Sequence, residues 1–295
     1  MNLNITKTEL FKVRYKSKIK VGSEVFEERD ILKIQFLADN QEFKTELNLV
    51  KGFHLTSYRE ALDLFKNPQD YEKWPEEVKY SFESAIFLTH YNDKLADRIY
   101  ISPYFDPSLS KEGPNLSYTK IKIGRQELAL DKTLLKNTSA KNIRLDANRS
   151  MDFESFKSLT NDLSSYDYFE DPFTNAKLMV NFPNDRFALD ESVLDDELWK
   201  LKQVTTFVLK PSALGLGNTI ELIKIAKQLG KRVVISSTFE SEAGHQTLAA
   251  LAAYSDMALG YKEHHGLGTI SLLEAPLSQC QIEIKDNSAE LKFKP

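Results

Sequence analysis

The chain of 295 residues is 41% hydrophobic and 28% charged, carries a formal net charge of −4, and contains one cysteine, Cys280. This length can bury a full core in one large domain or two, and the slightly acidic balance argues against the basic surface that nucleic-acid binding requires. Its apolar stretches are too short for a membrane span, its first residues lack a secretion signal, and its single cysteine excludes an internal disulfide, so we expect a cytoplasmic protein that contacts no membrane.

The N-terminal region alternates apolar and polar side chains, most clearly from Ile31 to Phe36. A period of two predicts antiparallel strands with one solvated face. Residues 57–65 and 75–90 carry apolar positions at helical spacing instead. Strands followed by helices predict an α+β unit over residues 1–95.

A repeat of strand, loop and helix follows, and the segment 206–236 shows it most clearly. Its first strand ends at Leu209, Asn218 is predicted to cap a helix, and Gly230 suits the left-handed end of that helix. The apolar run Val233–Ile235 then forms the next strand. Because this run is apolar on both faces, it is typical of a parallel strand buried between helices.

Repeated units of this kind predict an α/β fold, a modified (β/α) TIM-type barrel over residues 96–276. We expect the α+β unit of residues 1–95 to cap the barrel. The C-terminal tail, residues 277–295, alternates again, and we expect it to return to the N-terminal sheet as part of the capping domain.

Three carboxylates follow successive apolar strands: Asp146, Glu170 and Asp190, separated by 24 (146 to 170) and 20 (170 to 190) residues. This spacing corresponds to about one strand, one helix and two loops of a barrel, whose strands end at the catalytic face. A single carboxylate at such a position usually caps a helix or stays solvated. Three that converge repel one another unless a cation compensates, which favours an all-oxygen site for Mg²⁺, with Mn²⁺ as the second choice.

Lysines flank these carboxylates in the sequence. Lys120 and Lys122 share one face of a predicted strand, and Lys210 follows the last carboxylate by 20 residues (190 to 210). An interior face lined by lysine is costly unless it is functional; the alternative is an edge strand with solvated ammonium groups. A buried lysine beside a divalent cation has its pKa lowered, which makes it available as a general base.

At these residues the chain resembles the enolase superfamily, in its muconate-lactonizing branch. Members carry K-x-K on the second barrel strand, metal-binding carboxylates at the ends of the third, fourth and fifth strands, and a lysine at the end of the sixth. The same elements occur here in that order: Lys120-x-Lys122, Asp146, Glu170, Asp190 and Lys210. The resemblance implies removal of a proton α to a carboxylate, with a metal that stabilises the enolate.

Within that branch the chain is similar to the o-succinylbenzoate synthase family. The run Arg144–Arg149, R-L-D-A-N-R, resembles that family's sequence around its first metal ligand, and residues 235–241, I-S-S-T-F-E-S, resemble its I-S-S-x-x-E-S. Residues 266–269, G-L-G-T, resemble its G-L-D-T, with Gly268 where an aspartate is usual. The resemblance extends over about residues 44–275.

This resemblance implies a carbon–oxygen lyase of menaquinone biosynthesis that dehydrates 2-succinyl-6-hydroxy-2,4-cyclohexadiene-1-carboxylate to o-succinylbenzoate. Lys122 is implied as the base, Lys210 as the charge that stabilises the enolate, and the three carboxylates as ligands of Mg²⁺. The small-molecule carboxylate substrate is expected to contact five further positions: Lys120, Arg144, Asn148, Ser236 and Gly266. The sequence leaves the oligomeric state open.

Two alternatives remain. An N-acylamino acid racemase of the same superfamily uses the same lysine pair, with one base on each face of the substrate. The second alternative is a barrel that has lost activity and serves as a binding module. The retention of the three carboxylates and of Lys122 and Lys210 disfavours it. His264 and His265 point to opposite faces of any strand that contains them, so we expect no joint site there.

Overall fold

The N-terminal segment forms an antiparallel sheet in the order β1–β2–β3. The structure is a computed structural model that describes residues 3–21, 24–91, 94–105, 116, 118–124, 127–138, 142–163, 165–275 and 277–293. The strands of this sheet are β1 (Leu3–Val21), β2 (Glu24–Ala38) and β3 (Gln41–Leu47). The antiparallel arrangement predicted from the alternation of side chains is confirmed.

Two helices follow this sheet, α1 (Tyr58–Leu64) and α2 (Glu76–Tyr91), separated by a 3-10 helix at Pro68–Lys73. Helix α1 begins where Ser57 and Glu60 form a reciprocal capping box. Helix α2 packs on β3, and the small core beneath it is aromatic, with several rings in edge-to-face contact. Both helices agree with the predicted ranges.

Seven strands form the main parallel sheet, in the order β11–β10–β9–β8–β7–β6–β5. They are β5 (Tyr104–Phe105), β6 (Tyr118–Lys122), β7 (Asn142–Asp146), β8 (Tyr168–Glu170), β9 (Phe187–Leu189), β10 (Val204–Leu209) and β11 (Arg232–Ile235). Successive strands of the sequence are neighbours throughout, which is the arrangement of a βα barrel. Most residues of β7 to β11 are buried, as expected for parallel strands covered on both faces.

A second sheet closes this barrel. Strand β12 (His264–His265) pairs in parallel with β4 (Arg98–Ile101), which leads directly into β5. Ser236, just after β11, forms a parallel bridge with Gly266, just after β12. The ring is therefore continuous from β5 to β11, through β12, and back to β4. The predicted TIM-type barrel is confirmed.

The C-terminal tail was expected to join the N-terminal sheet, and that expectation is wrong. Strands β13 (Cys280–Lys285) and β14 (Ser288–Phe293) form a hairpin, and β14 pairs antiparallel with β4. The alternation of the tail predicted strands correctly, but β4 was not recognised as a separate strand. Its edge offers the partner that the tail takes.

The helices of the barrel vary in length, which makes it a modified barrel. They are α3 (Leu128–Lys136), α4 (Phe153–Thr160), α5 (Asp196–Trp199), α6 (Pro211–Leu214), α7 (Leu216–Leu229) and α8 (Glu242–Leu259). Asn218 does not cap α7 as predicted, because Gly215 takes that position with a positive φ of 86°. Gly230 ends α7 in the left-handed conformation, as predicted.

The main hydrophobic core includes Cys280 as a buried free thiol. A small cluster on strands β8 to β11 is separate from it and consists of Tyr168, Ala188, Val208 and Val234. In the described ranges, none of the helices has the length and apolar character needed to cross a membrane.

Candidate active site

The residues singled out at strand ends lie along one rim of the barrel. In the parallel pairing, Lys122 on β6 is opposite Asp146 on β7, and Asp146 is opposite Glu170 on β8. Asp190 directly follows β9, and Lys210 directly follows β10. Because the carboxyl ends of parallel strands share an edge, the topology brings these residues to a common face.

Lys120 and Lys122 point into the barrel between the carboxylates. Lys120 Nζ lies 2.7 Å from Asp146 Oδ2 and 2.6 Å from Glu170 Oε1. Lys122 Nζ donates to the same Asp146 oxygen and to Asn148 Oδ1, the latter at 3.0 Å. Both lysine side chains are only 12–13% exposed, so these ion pairs lie in a region of low dielectric, where charges interact strongly.

Lys210 belongs to the opposite side of the ring, since β10 lies four strands from β6. Its Nζ donates to Asp190 Oδ2 and lies 3.4 Å from Glu191 Oε1. The same ammonium group is 4.9 Å from the centre of the Phe53 ring, which comes from the loop after β3. The N-terminal region therefore contributes directly to the surroundings of this lysine.

The charges at this rim shift one another's pKa. Burial opposes the charge on Lys120, but Asp146 and Glu170 outweigh it and raise the pKa of this lysine. Burial lowers the pKa of Lys122, and the positive charge of Lys120 lowers it further, against the attraction of Asp146. Burial and repulsion by Asp146 raise the pKa of Glu170. Of these two lysines, Lys122 is the one that loses its proton more readily.

The carboxylates have the chemistry of a divalent-cation site, although the described residues contain no three His, Cys, Asp or Glu side chains already arranged around a metal position. The ammonium group of Lys120 lies in the gap between Asp146 and Glu170 instead. A positive group is therefore accepted there, and buried carboxylate oxygens are the ligands that Mg²⁺ prefers. The residues fit a divalent cation, provided that Lys120 moves out of the gap.

A cavity of about 50 Å³ opens at this rim. Its wall includes Lys120, Lys122, Asp146, Asn148, Lys210, Ser236 and Gly266, all of them positions predicted from the sequence. Beside it lies an outer cleft of about 540 Å³, and Phe53, Tyr104 and Phe239 line both spaces. The combined volume suits a small organic substrate. A wider groove of about 800 Å³ elsewhere on the molecule contains none of the predicted site residues.

Close backbone packing explains two glycines at the cavity. A Cβ atom on Gly266 would lie 2.7 Å from Ser236 Oγ, so a side chain there would displace the serine. A Cβ atom on Gly268 would lie 2.4 Å from Ser102 O and 2.8 Å from Tyr104 N. The backbone at 102–104 therefore leaves no room for the aspartate that the resembled family usually carries at this position.

Arg144 does not reach the cavity, so the expected substrate contact at this residue is wrong. Its side chain is 1% exposed and points toward the amino-terminal end of the barrel, where Nε lies 2.9 Å from Asp167 Oδ2 and Nη2 lies 2.7 Å from Glu263 Oε1. Arg232 binds the same two carboxylates at 2.6 and 2.7 Å. We call Arg144, Asp167, Arg232 and Glu263 the basal network.

The adjacent histidines of β12 take separate partners, as their opposite directions predicted. The His264 ring stacks on Tyr100 and Tyr118, with ring centroids 4.9 and 3.7 Å away. His265 Nε2 lies 3.1 Å from Asp256 Oδ1. Neither ring lines the cavity or the outer cleft.

Sequence reasoning missed several residues of the outer cleft: Lys20, Phe53, Tyr104, Arg149 and Phe239. Two of them lie inside the motifs that carry the family resemblance, Arg149 in R-L-D-A-N-R and Phe239 in I-S-S-T-F-E-S. Motif membership was therefore a usable signal for those two. Lys20 and Phe53 come from the N-terminal region, and only the folded arrangement of that region over the barrel places them here.

Comparison with known proteins finds relatives both in sequence and in structure. No family model matches the chain. It is 33% identical over 173 residues to the o-succinylbenzoate synthase of Aliivibrio fischeri (strain MJ11). This match covers 54% of this chain and 52% of that protein. It aligns with the structure of o-succinylbenzoate synthase from Thermosynechococcus elongatus BP-1 complexed with Mg in the active site (TM-score 0.70, 17% identity, 92% and 95% covered). It also aligns with N-succinyl Arg/Lys racemase from Bacillus cereus ATCC 14579 (TM-score 0.75, 13% identity, 99% and 95% covered).

The fold defines the class of protein: the chain is a TIM-type barrel, a fold that it shares with these solved structures. Its sequence resembles o-succinylbenzoate synthase in particular, with further members at similar identity, and the resemblance drawn from the motifs is confirmed. The match spans about half the length of these curated relatives.

Proposed function

We propose that the protein dehydrates 2-succinyl-6-hydroxy-2,4-cyclohexadiene-1-carboxylate to o-succinylbenzoate, as a carbon–oxygen lyase of menaquinone biosynthesis. One observation carries the proposal: Lys122 and Lys210, from opposite sides of the barrel, line one cavity together with Asp146. Proton removal beside a carboxylate requires a positioned base and fixed positive charge for the enolate. The similarity to o-succinylbenzoate synthases supports this choice of substrate.

Lys122 is the base in this proposal. Its Nζ is held by Asp146 and by Asn148 Oδ1 at 3.0 Å, so the direction of the nitrogen is fixed before substrate binds. Lys122 Nζ takes the proton from the α-carbon and gives it to the hydroxyl group as the C–OH bond breaks, so that one water leaves and the ring becomes aromatic. Phe53 and Phe239 line both the cavity and the cleft, and such apolar surroundings exclude water from the reacting end.

Lys210 provides the fixed positive charge across the cavity. Asp190 and Glu191 hold its ammonium group, which favours the protonated form that stabilises an enolate. A divalent cation held by Asp146, Glu170 and Asp190 would supply further positive charge at the substrate carboxylate. Mg²⁺ is the ion of the solved o-succinylbenzoate synthase, and Mn²⁺ suits the same oxygen ligands.

The test is loss of the diene absorbance band with purified protein and Mg²⁺, beside a chelated sample and the variant Lys122→Met. We expect metal-dependent turnover that falls about 10³-fold in Lys122→Met, because a positioned general base contributes on that scale. The matched control is Lys224→Met on the surface of α7, where the side chain is 61% exposed; its rate should equal that of the wild type.

Failure of turnover with both Mg²⁺ and Mn²⁺ would overturn this proposal. Because both lysines line the same cavity, N-acylamino acid racemisation is the next activity to measure, by exchange of the α-proton for deuterium. In that reaction each lysine serves one enantiomer, so Lys210→Met should abolish exchange from one of them only. Metal binding without either activity would indicate a binding module.

A further inference from the structure

Arg149 is held loosely at the outer cleft. It lies 3.3 Å from Ser192 Oγ, 3.6 Å from Asp171 Oδ2 and 4.0 Å from Glu191 Oε2. The arginines of the basal network bind their carboxylates at 2.6–2.9 Å instead. Arg149 Nε is buried and has no hydrogen-bond partner among the described residues. A guanidinium carries five N–H donors, so this one retains the capacity to bind another acceptor.

The backbone keeps Arg149 at the cleft in a strained conformation. Asn148 and Arg149 both have positive φ, 45° and 58°, which is unfavourable for residues with a Cβ atom. The turn is locked by a hydrogen bond of 2.8 Å from Arg149 N to Asp171 O. One of the two strained residues, Asn148, contacts Lys122, and the other lines the cleft. Strain of this kind persists where the surrounding structure enforces a functional arrangement.

Among the residues that the structure describes, the outer cleft contains more positive than negative side chains. Arg149 shares it with Lys20, from the end of β1, and with Lys122, which also lines the inner cavity. Glu191 is the acidic residue in the described part of its wall, but Lys210 lies 3.4 Å from that carboxylate and offsets its charge. A molecule that reaches from Lys122 into the cleft therefore meets positive charge at its far end.

We infer that Arg149, assisted by Lys20, binds a second carboxylate of the substrate, remote from the carbon that Lys122 deprotonates. The inference rests on the proposed function for the position of the reacting end. A guanidinium donates two parallel N–H groups to the two oxygens of a carboxylate, which a neutral amide does not match. The substrate class is thus an acid that carries a second carboxylate at the end away from the reacting carbon. An ammonium group at that end would face repulsion.

Binding affinity tests this inference independently of turnover. The probes are o-succinylbenzoate and its analogue in which the side-chain carboxylate is a primary amide, titrated calorimetrically into the full chain with Mg²⁺. We expect the wild type to prefer the dicarboxylate by about 10- to 100-fold, the range for hydrogen bonds to charged groups. Arg149→Met should reduce that preference to less than about 3-fold, and Arg149→Lys should restore part of it. The matched control is Arg186→Met, at an exposed arginine before β9, which should keep the full preference.

Each outcome decides one question. An unchanged preference in Arg149→Met, or tighter binding of an analogue with an ammonium side chain, overturns the inference. If Arg149→Met does not fold, Arg149→Lys and Lys20→Met answer in its place: a weaker dicarboxylate preference in both supports the subsite, and an unchanged one overturns it. Exposed Lys18, on the same strand as Lys20, provides the control for the second variant. A preference that depends on Arg149, in a protein that does not turn over the diene, would retain the subsite and reject the proposed function.

Discussion

The two ends of the barrel use buried charge in opposite ways. At the amino-terminal end, the basal network pairs two arginines with two carboxylates at 2.6–2.9 Å. At the carboxyl-terminal rim the balance differs within the described part of the chain, because four cations (Lys120, Lys122, Arg149 and Lys210) face five carboxylates (Asp146, Glu170, Asp171, Asp190 and Glu191). The basal network is complete without a ligand. Carboxylates outnumber cations at the rim, and burial and mutual repulsion raise the pKa of Glu170 there, so a divalent cation would favour the ionised carboxylates.

A glutamate-to-glutamine substitution should therefore lower the free energy of unfolding at the amino-terminal end and raise it at the rim. The larger effect is expected at the amino-terminal end. Glu263→Gln removes one charge from the basal network and leaves Arg144 and Arg232 with Asp167 alone. Breaking a buried ion pair costs about 3 kcal/mol or more, so we expect the free energy of unfolding to fall by about that amount. Urea denaturation with and without Mg²⁺ measures it.

The control for this prediction is an exposed ion pair. Lys177 and Glu197 lie 2.6 Å apart with side chains 64% and 68% exposed, so Glu197→Gln should leave the free energy of unfolding nearly unchanged. Equal losses in the two variants would contradict the view that burial makes the basal network important. If circular dichroism shows that Glu263→Gln keeps the barrel fold, the lower free energy of unfolding is due to the lost charge and not to a rearranged structure.

At the rim, Glu170→Gln should stabilise the metal-free protein by about 1 kcal/mol. The substitution brings the charges there into balance, removes repulsion by Asp146 and Asp190, and leaves Lys120 paired with Asp146. The same variant should lose the rise in melting temperature that Mg²⁺ gives the wild type, because it lacks one ligand. Lower stability in the metal-free state, measured in the presence of a chelator, would contradict the charge balance proposed for the rim.

The sequence predicted most of the rim because its residues follow local rules. A carboxylate or lysine at the end of an apolar strand is visible in the sequence, and the topology of parallel strands brings such ends together. Lys122, Asp146 and Glu170 were found in this way, and the structure pairs them in register. The TIM-type barrel follows from the same repeat of strand and helix.

What the sequence left out depends on contacts between distant segments. Arg144 is two residues before Asp146, and its strand position gave no sign that its partners, Asp167 and Glu263, directly precede β8 and β12 at the other end of the barrel. The tail was expected at the N-terminal sheet because alternation predicts a strand but not its partner. The closeness of Gly268 to the backbone at 102–104 likewise appears only in the folded chain.

The smallest predicted effect is the dependence of stability on pH at the amino-terminal end of the barrel. Burial and the nearby Arg144 lower the pKa of His264 from 6.5 to about 4, so the unfolded chain takes up a proton at a higher pH than the folded chain. The stability associated with neutral His264 is therefore complete above about pH 6.5 and is lost as the pH falls toward about 4. Despite burial, its arginine partners hold the pKa of Glu263 at about 2, so its contribution is lost only below about pH 4.5.

His264→Phe isolates the first of these two windows. A phenyl ring can keep the stacking on Tyr100 and Tyr118 while removing the titrating group. Unfolding free energy measured from pH 7 to 4 should fall less steeply in this variant than in the wild type. His54 and His245 are also buried with a lowered pKa. Both proteins therefore lose stability through these two histidines as the pH falls, and only the difference in slope reports on His264. Parallel slopes would show that His264 does not titrate differently on folding, and that this end of the barrel responds to acid through the carboxylates of the basal network, Asp167 and Glu263.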